Sequence, residues 1–313
     1  MAPILSPTLS FKALHPSFGA ECRGVDFSRP LSEQTISNIR AGMAKYGVLV
    51  FRRTELGDAS QVAFARQLGE LDVSSAYSLP GQKHRLTPNV ELTDVSNIEN
   101  GEVSPTDSLR SKIAKGNDLF HVDCSYNARR AGYSILRAHQ LPPRGTGGAT
   151  AFADTRAAYK DLDDKTKLKI KDCVLAHSLL HSRGLAAPEC VLFQMAKLTD
   201  FSIAHHKLAQ LHEPSGRMNL YIAAHAYNID GMEEEQSQPI IRDLLQHASQ
   251  DKYTFKVDWE NNGDVIIWDN TCVMHKACGG DFEGKYVRDM RRATVYDSSS
   301  SAWGLNEAAV QPT

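Results

Sequence analysis

The chain has 313 residues, 42 % of them hydrophobic, enough for a sizeable core in one large domain or two small ones. Its 35 Lys plus Arg balance 37 Asp plus Glu, and a formal charge of −2 removes the electrostatic case for nucleic acid or an anionic membrane as partner. No stretch approaches the roughly 18 consecutive apolar residues of a membrane span.

Residues 1–7 lack the basic and apolar regions of a secretory leader, and Val310-Gln311-Pro312-Thr313 carries no lipidation or retention signal. Turn residues dominate Pro16-Ser17-Phe18-Gly19 and Ser28-Arg29-Pro30. Ser32-Glu33-Gln34 then opens a helix whose Ile36, Ile39 and Met43 share one face and which Gly47 stops. Val48-Leu49-Val50-Phe51 is a buried-strand pattern, and a second helix is expected from Ser60 to Leu68. Residues 72–118 are polar and rich in Ser, Pro, Asn and Gly; they read as long loops of the kind that cover binding sites, with a strand at 94–98. From 119 onward short strands are expected at 119–122, 132–139, 149–153, 219–223, 253–257, 264–269 and 291–297, with helices at 164–171 and 235–250. Many short strands with a few helices predict a mainly β protein with flanking helices, a sandwich or jelly roll. No linker divides it, so a single domain over 1–313 is expected. Cys22, Cys124, Cys173, Cys190, Cys272 and Cys278 have irregular spacing, which fits reduced thiols in the cytoplasm.

The chemistry-bearing residues are His121-Val122-Asp123, the distant His275, and Arg288, Arg291 and Arg292. In an extended segment residues i and i+2 point the same way, so His121 and Asp123 can reach one metal while Val122 turns away. Two histidines and a carboxylate bind one face of iron(II) and leave the other open. On a strand Arg288 and Arg292 share a face with Met290, and guanidinium groups grip carboxylates in pairs of hydrogen bonds. Gly145-Thr146-Gly147-Gly148-Ala149-Thr150 lacks the lysine of a phosphate loop and reads as a turn into a strand. The residues alone leave two other readings open. One is a jelly-roll module that binds a small acid without catalysis. The other is a structural zinc site from Cys272, His275 and Cys278.

His121-Val122-Asp123, Leu141-Pro142-Pro143, Gly147-Gly148-Ala149-Thr150, Gly263-Asp264-Val265, Trp268-Asp269-Asn270, His275 and Arg291-Arg292-Ala293-Thr294 together resemble the Fe(II)/2-oxoglutarate dioxygenases of the taurine dioxygenase (TauD/TfdA) family. Phe18-Gly19-Ala20-Glu21, Gly47 to Arg52 and Phe64-Ala65-Arg66 extend the likeness over roughly residues 9 to 298. The resemblance implies a double-stranded β-helix with a metal-binding core at about residues 117–297. It implies iron held by His121, Asp123 and His275, and 2-oxoglutarate bound by Thr150 and Arg288. O2 is the further reactant. Arg292 falls at the family's arginine for the acid group of the primary substrate, a small carboxylate-bearing molecule. Asn117, Cys124, Tyr126 and His225 fall at substrate-pocket positions. Asp72 stands where the taurine enzyme has a histidine, which argues against a sulfonate. The likeness also implies release of succinate and CO2, with hydroxylation, ether cleavage, desaturation or cyclisation as the outcome, and a dimer or tetramer by analogy.

Overall fold

A computed structural model describes residues 9–73 and 84–307. The readings for residues 1–7 and 310–313, and the part of the polar stretch at 74–83, lie outside the described residues. Among the described residues no helix is long and apolar enough to cross a membrane.

Local sequence rules account for the N-terminal helices. The Ser32 hydroxyl accepts from the Thr35 N–H at 3.2 Å and caps the helix Glu33–Tyr46, which buries Ile36, Ile39 and Met43. Gly47 ends it at φ 70, its N–H donating to the Met43 carbonyl at 2.7 Å. A side chain is excluded there, because a Cβ would stand 2.8 Å from a Val273 methyl. The second helix is Asp58–Leu68.

Seven strands form the major sheet, in the order Ser10–Ala13, Ala20–Arg23, Val48–Phe51, Val265–Asp269, Ala131–Gln140, Asp289–Tyr296 and Leu92–Asp94. All pairings are antiparallel except the one between Ala20–Arg23 and Val48–Phe51. A minor sheet of Thr254–Val257, Thr150–Asp154 and Val273–Ala277 faces it. Strand alternation sorts the side chains. Leu49, Phe51, Val265, Ile267, Ile135, Ala293 and Val295 pack under the two helices. Their neighbours Val48, Val50, Ile266, Trp268, Leu136, Ala138 and Met290 turn inward to meet Phe152, Val257 and Val273 of the minor sheet. A third cluster, with Ile241 and Leu244 of the helix Glu234–Ala248, covers the minor sheet from outside.

The same alternation splits the arginine cluster. Arg291 turns outward, to Asp58 and to Asp289, the latter at 3.2 Å, while Arg292 points inward with Met290.

Three expected strands are corrected. The one at 94–98 is broken: Leu92–Asp94 ends in the major sheet, residues 95–97 leave it, and Ile98–Glu99 pairs separately with Glu102–Val103. Residues 119–122 are not a strand: their one ladder contact is a bridge between His121 and His275, and the chain turns at Cys124, φ 56. The strand expected at 219–223 is Arg217–Leu220, because the next residues leave the ladder and the Ala224 N–H donates to the Phe120 carbonyl at 2.9 Å. The polar stretch also holds more structure than its composition indicates, including a helix at Leu109–Ala114.

Behind the minor sheet, His212, Asp269 and Cys272 form a buried group. Burial lowers the His212 pKa, but the Cys272 sulfur and the Asp269 carboxylate, 3.0 Å away, outweigh it and raise the imidazole from 6.5 to about 10. A raised folded-state pKa stabilises fully below the unfolded value and is lost as pH rises through the folded one. The wild type is therefore expected to lose stability relative to His212→Gln between pH 6.5 and about 10. Urea unfolding of both proteins across that range checks this; parallel curves contradict it.

Candidate metal centre and cosubstrate pocket

The bridge between His121 and His275 brings two distant segments together. Each backbone N–H donates to the other's carbonyl, at 2.9 and 2.8 Å. His121, Asp123 and His275 are all buried, with one ligand atom of each within 4.8 Å of the others. His121 Nε2 lies 4.0 Å from Asp123 Oδ1, and His275 Nε2 lies 3.7 Å from Asp123 Oδ2. Val122 packs into the apolar cluster outside the minor sheet, turned away as the i, i+2 argument requires.

The protonation states suit a cation. His121 Nδ1 lies 2.7 Å from the Leu119 carbonyl, which places its proton there and leaves Nε2 a bare donor. Burial holds both histidines below the usual imidazole range. Burial pushes the Asp123 carboxyl up, but Arg292, the two histidines and a Ser134 hydrogen bond bring it down to about 2. Two neutral imidazoles and one carboxylate on a single face are a donor set for iron(II) with the opposite face open.

Behind the carboxylate stands a closed network. Arg292 donates to Asp123 Oδ1, and the Ser134 hydroxyl donates to Oδ2 at 2.6 Å. The Asp123 N–H donates to Asn270 Oδ1 at 2.9 Å, which also accepts from the Trp268 indole at 3.0 Å. Asn270 Nδ2 in turn donates to Ser134 Oγ at 3.0 Å. Trp268 and Asn270 are thus the brace of the metal face. Ser134 is absent from the sequence-derived site, although its place beside Leu136 on the inward face of a predicted strand pointed to it.

Arg288 is anchored on Gly148, two residues before Thr150. Arg288 Nη2 donates to the Gly148 carbonyl at 3.0 Å, and a Cβ on Gly148 would stand 3.0 Å from Arg288 Nε. That Nε is sealed from solvent and has no hydrogen-bond partner among the described residues. Burial lowers the Arg288 pKa to about 10, which leaves it charged at neutral pH. The Trp259 indole donates to Thr150 Oγ1 at 3.1 Å, so the hydroxyl proton is left for another acceptor. A buried guanidinium with an unused N–H and a hydroxyl with a free proton are the kinds of donor that suit the carboxylate of a cosubstrate.

His225 stands edge-on to His121 and to Tyr126, with ring centroids 5.6 and 5.0 Å apart. Its Nδ1 lies 2.9 Å from Ser125 Oγ, which lies 3.0 Å from His177 Nδ1. The hydroxyl has one proton, so one imidazole donates to it and the other accepts. His177 Nε2 is buried without a partner, where an N–H would be an orphaned donor. The arrangement that avoids this puts the His177 proton on Nδ1, lets Ser125 donate to His225, and leaves His225 with N–H at Nε2. Neither Ser125 nor His177 was legible as part of the site. Asn117 Oδ1 accepts from Arg183 at 3.4 Å, and Cys124 Sγ lies 3.8 Å from Asp72 Oδ2.

The zinc reading is corrected. Among the described residues Cys272, His275 and Cys278 are not brought together, because Cys272, in the turn before the strand Val273–Ala277, groups with His212 and Asp269.

The sequence profile of the taurine catabolism dioxygenase TauD, TfdA family matches residues 10–294, and the chain belongs to this family. The alpha-ketoglutarate-dependent 2,4-dichlorophenoxyacetate dioxygenase of Burkholderia sp. (strain RASC) is 32 % identical over 92 % of this chain and 94 % of its own. The (S)-phenoxypropionate/alpha-ketoglutarate-dioxygenase of Sphingobium herbicidovorans is 29 % identical over 90 % of this chain and 94 % of its own. The crystal structure of AAD-2 in complex with Mn(II) and N-oxalylglycine superposes with a TM-score of 0.81 at 33 % identity, covering 93 % of this chain and 98 % of that one. The protein is therefore a dioxygenase with a jelly-roll core that uses Fe(II), 2-oxoglutarate and O2.

Ser134→Ala is expected to weaken Mn(II) binding about 10- to 100-fold, since residues that orient metal ligands carry effects of that size, and to lower metal-free stability by about 1–3 kcal/mol, since it takes a hydrogen bond from a buried carboxylate. Calorimetric titration with Mn(II) checks this, and unchanged affinity contradicts the bracing role.

Proposed function

We propose that the chain is a single-domain oxygenase for a small carboxylate-bearing molecule. His121, Asp123 and His275 hold the iron, and Thr150 with Arg288 holds the distal carboxylate of 2-oxoglutarate. The observation that carries this reading is the buried triangle of two neutral histidines and one ionised carboxylate, joined by the unused N–H of the buried Arg288. The relatives named for oxidising aryloxy acids support a substrate of that class.

Iron(II) held by His121, Asp123 and His275 would supply the oxidising chemistry, with 2-oxoglutarate and O2 as reactants and succinate and CO2 as products. The chain's own residues do the placing. Arg288 and Thr150 orient the cosubstrate by its far end. Arg292 holds Asp123 in register and brings positive charge to the substrate side. His225, with its proton on Nε2, offers a hydrogen-bond donor beside Tyr126. With the acid group held, one C–H bond is presented to the reacting centre; oxidation next to an ether oxygen gives a hemiacetal that breaks. The free thiols of all six cysteines suit the reducing cytoplasm.

His121→Ala and Asp123→Ala are expected to abolish succinate formation from 2-oxoglutarate, measured with 2,4-dichlorophenoxyacetate and a panel of other small acids. Full turnover by either variant with its iron retained overturns the assignment. Arg288→Gln is expected to raise the KM for 2-oxoglutarate about 30-fold or more, since losing one side of a buried charged pair costs about 2–5 kcal/mol. An unchanged KM removes Arg288 from the cosubstrate site.

A further inference from the structure

The helix Leu179–Ala186 packs against residues 115–118, just ahead of His121, and carries Arg183. The guanidinium lies across Gly116 so closely that a Cβ there would fall 1.6 Å from Nη1. Both terminal nitrogens point at Asn117 Oδ1, each at a long 3.4 Å. Nε is sealed from solvent with no partner, and no carboxylate among the described residues lies within ion-pair distance of the group. The other arginines of this region are engaged: Arg291 with Asp58 and Asp289, Arg292 with Asp123, and Arg288 with Gly148 beside the cosubstrate pocket. The charge of Arg183 is felt inside the metal cavity, where it opposes protonation of His121 and His225 and is itself opposed by Arg292.

A largely desolvated guanidinium without a direct ion pair is costly, and Asp123 and Asp118 act on this one only from beyond ion-pair distance. We propose that Arg183, carried over Gly116 and steadied by Asn117, is a specificity-determining residue that receives the carboxylate of the primary substrate. The inference rests on the oxygenase reading of the adjoining site and deepens it. The substrate acid is bound from the Leu179–Ala186 side, by a residue outside the Arg288–Arg292 strand. This also gives Asn117 a role: it positions Arg183, and its amide oxygen is the weak partner that an incoming carboxylate displaces.

The test follows the visible band of the anaerobic Fe(II)–2-oxoglutarate complex while phenoxyacetate, 2,4-dichlorophenoxyacetate and 2-phenoxypropionate are titrated, each against its methyl ester. At least one acid is expected to perturb the wild-type band and to bind more tightly than its ester. Arg183→Gln is expected to weaken that acid about 30-fold or more while leaving ester binding and 2-oxoglutarate affinity within about twofold, and Arg183→Lys to recover part of the loss. Should Arg183→Gln fail to fold, Asn117→Asp places a carboxylate against Arg183 and is expected to remove the same preference for acid over ester. Acid binding unchanged in the variant, equal loss of acid and ester, or no acid perturbing the wild-type band overturns the proposal while the oxygenase reading stands. A wild type that forms no band at all overturns both.

Discussion

A carboxylate held ionised in the interior is the constraint on which this architecture depends. Asp123 is buried, and burial alone would drive it to the neutral acid. Arg292 and Ser134 hold one oxygen each, and the backbone at Asp123 is held by Asn270. Each partner is itself held. Asn270 is gripped by Trp268 and Gly132, and Arg292 and Ser134 belong to adjacent paired strands, where Arg292 stands opposite Leu136 and Thr294 opposite Ser134. An unpaired charge here would cost several kcal/mol, about 3–5 when one partner of a buried pair is lost. The major sheet is thus both the hydrophobic floor of the sandwich and the electrostatic support of the metal face.

Strand alternation lets one sheet do both. Leu49, Phe51, Ile267 and Ala293 seal the helices against its outer face. One residue along each strand, Ser134, Trp268 and Arg292 face the cavity, and Phe152 closes the apolar layer from the minor sheet. A slip of one residue in the last strand would send Arg291 inward and Arg292 to Asp58, exchanging a structural ion pair for the brace of the metal site. The minor sheet contributes His275, and the single bridge from His275 to His121 ties the two halves of the ligand set together.

Much of this was legible because the relevant signals are local. Ser32 and Gly47 bound a helix by capping chemistry, and short β-branched, apolar runs such as Val48–Phe51 and Val265–Trp268 marked buried strands of the major sheet. His121 and Asp123 were legible by their i, i+2 spacing, although the segment is a bridge followed by a turn and not a strand. The parts that escaped depend on long-range closure. Ser125 meets His177 and His225 from 52 and 100 residues away, and no spacing rule links such residues. Arg183 lies on a short helix in a stretch without strong periodicity, and its importance is visible only once Gly116 and Asn117 are seen beside it. Cys272 read as a thiolate ligand because it is three residues from His275, yet it sits in the turn before the strand Val273–Ala277 and meets His212 and Asp269 instead.

Among the described residues two buried groups of side chains could hold a metal: His121, Asp123 and His275, and His212, Asp269 and Cys272. The account assigns the metal to the first and treats the second as a structural charge cluster. Anomalous diffraction from crystals soaked in Mn(II) and N-oxalylglycine distinguishes them directly. The account predicts one manganese peak among His121, Asp123 and His275, with the inhibitor's distal carboxylate against Arg288 and Thr150. A peak at His212, Asp269 and Cys272, with none at the first site, would contradict it.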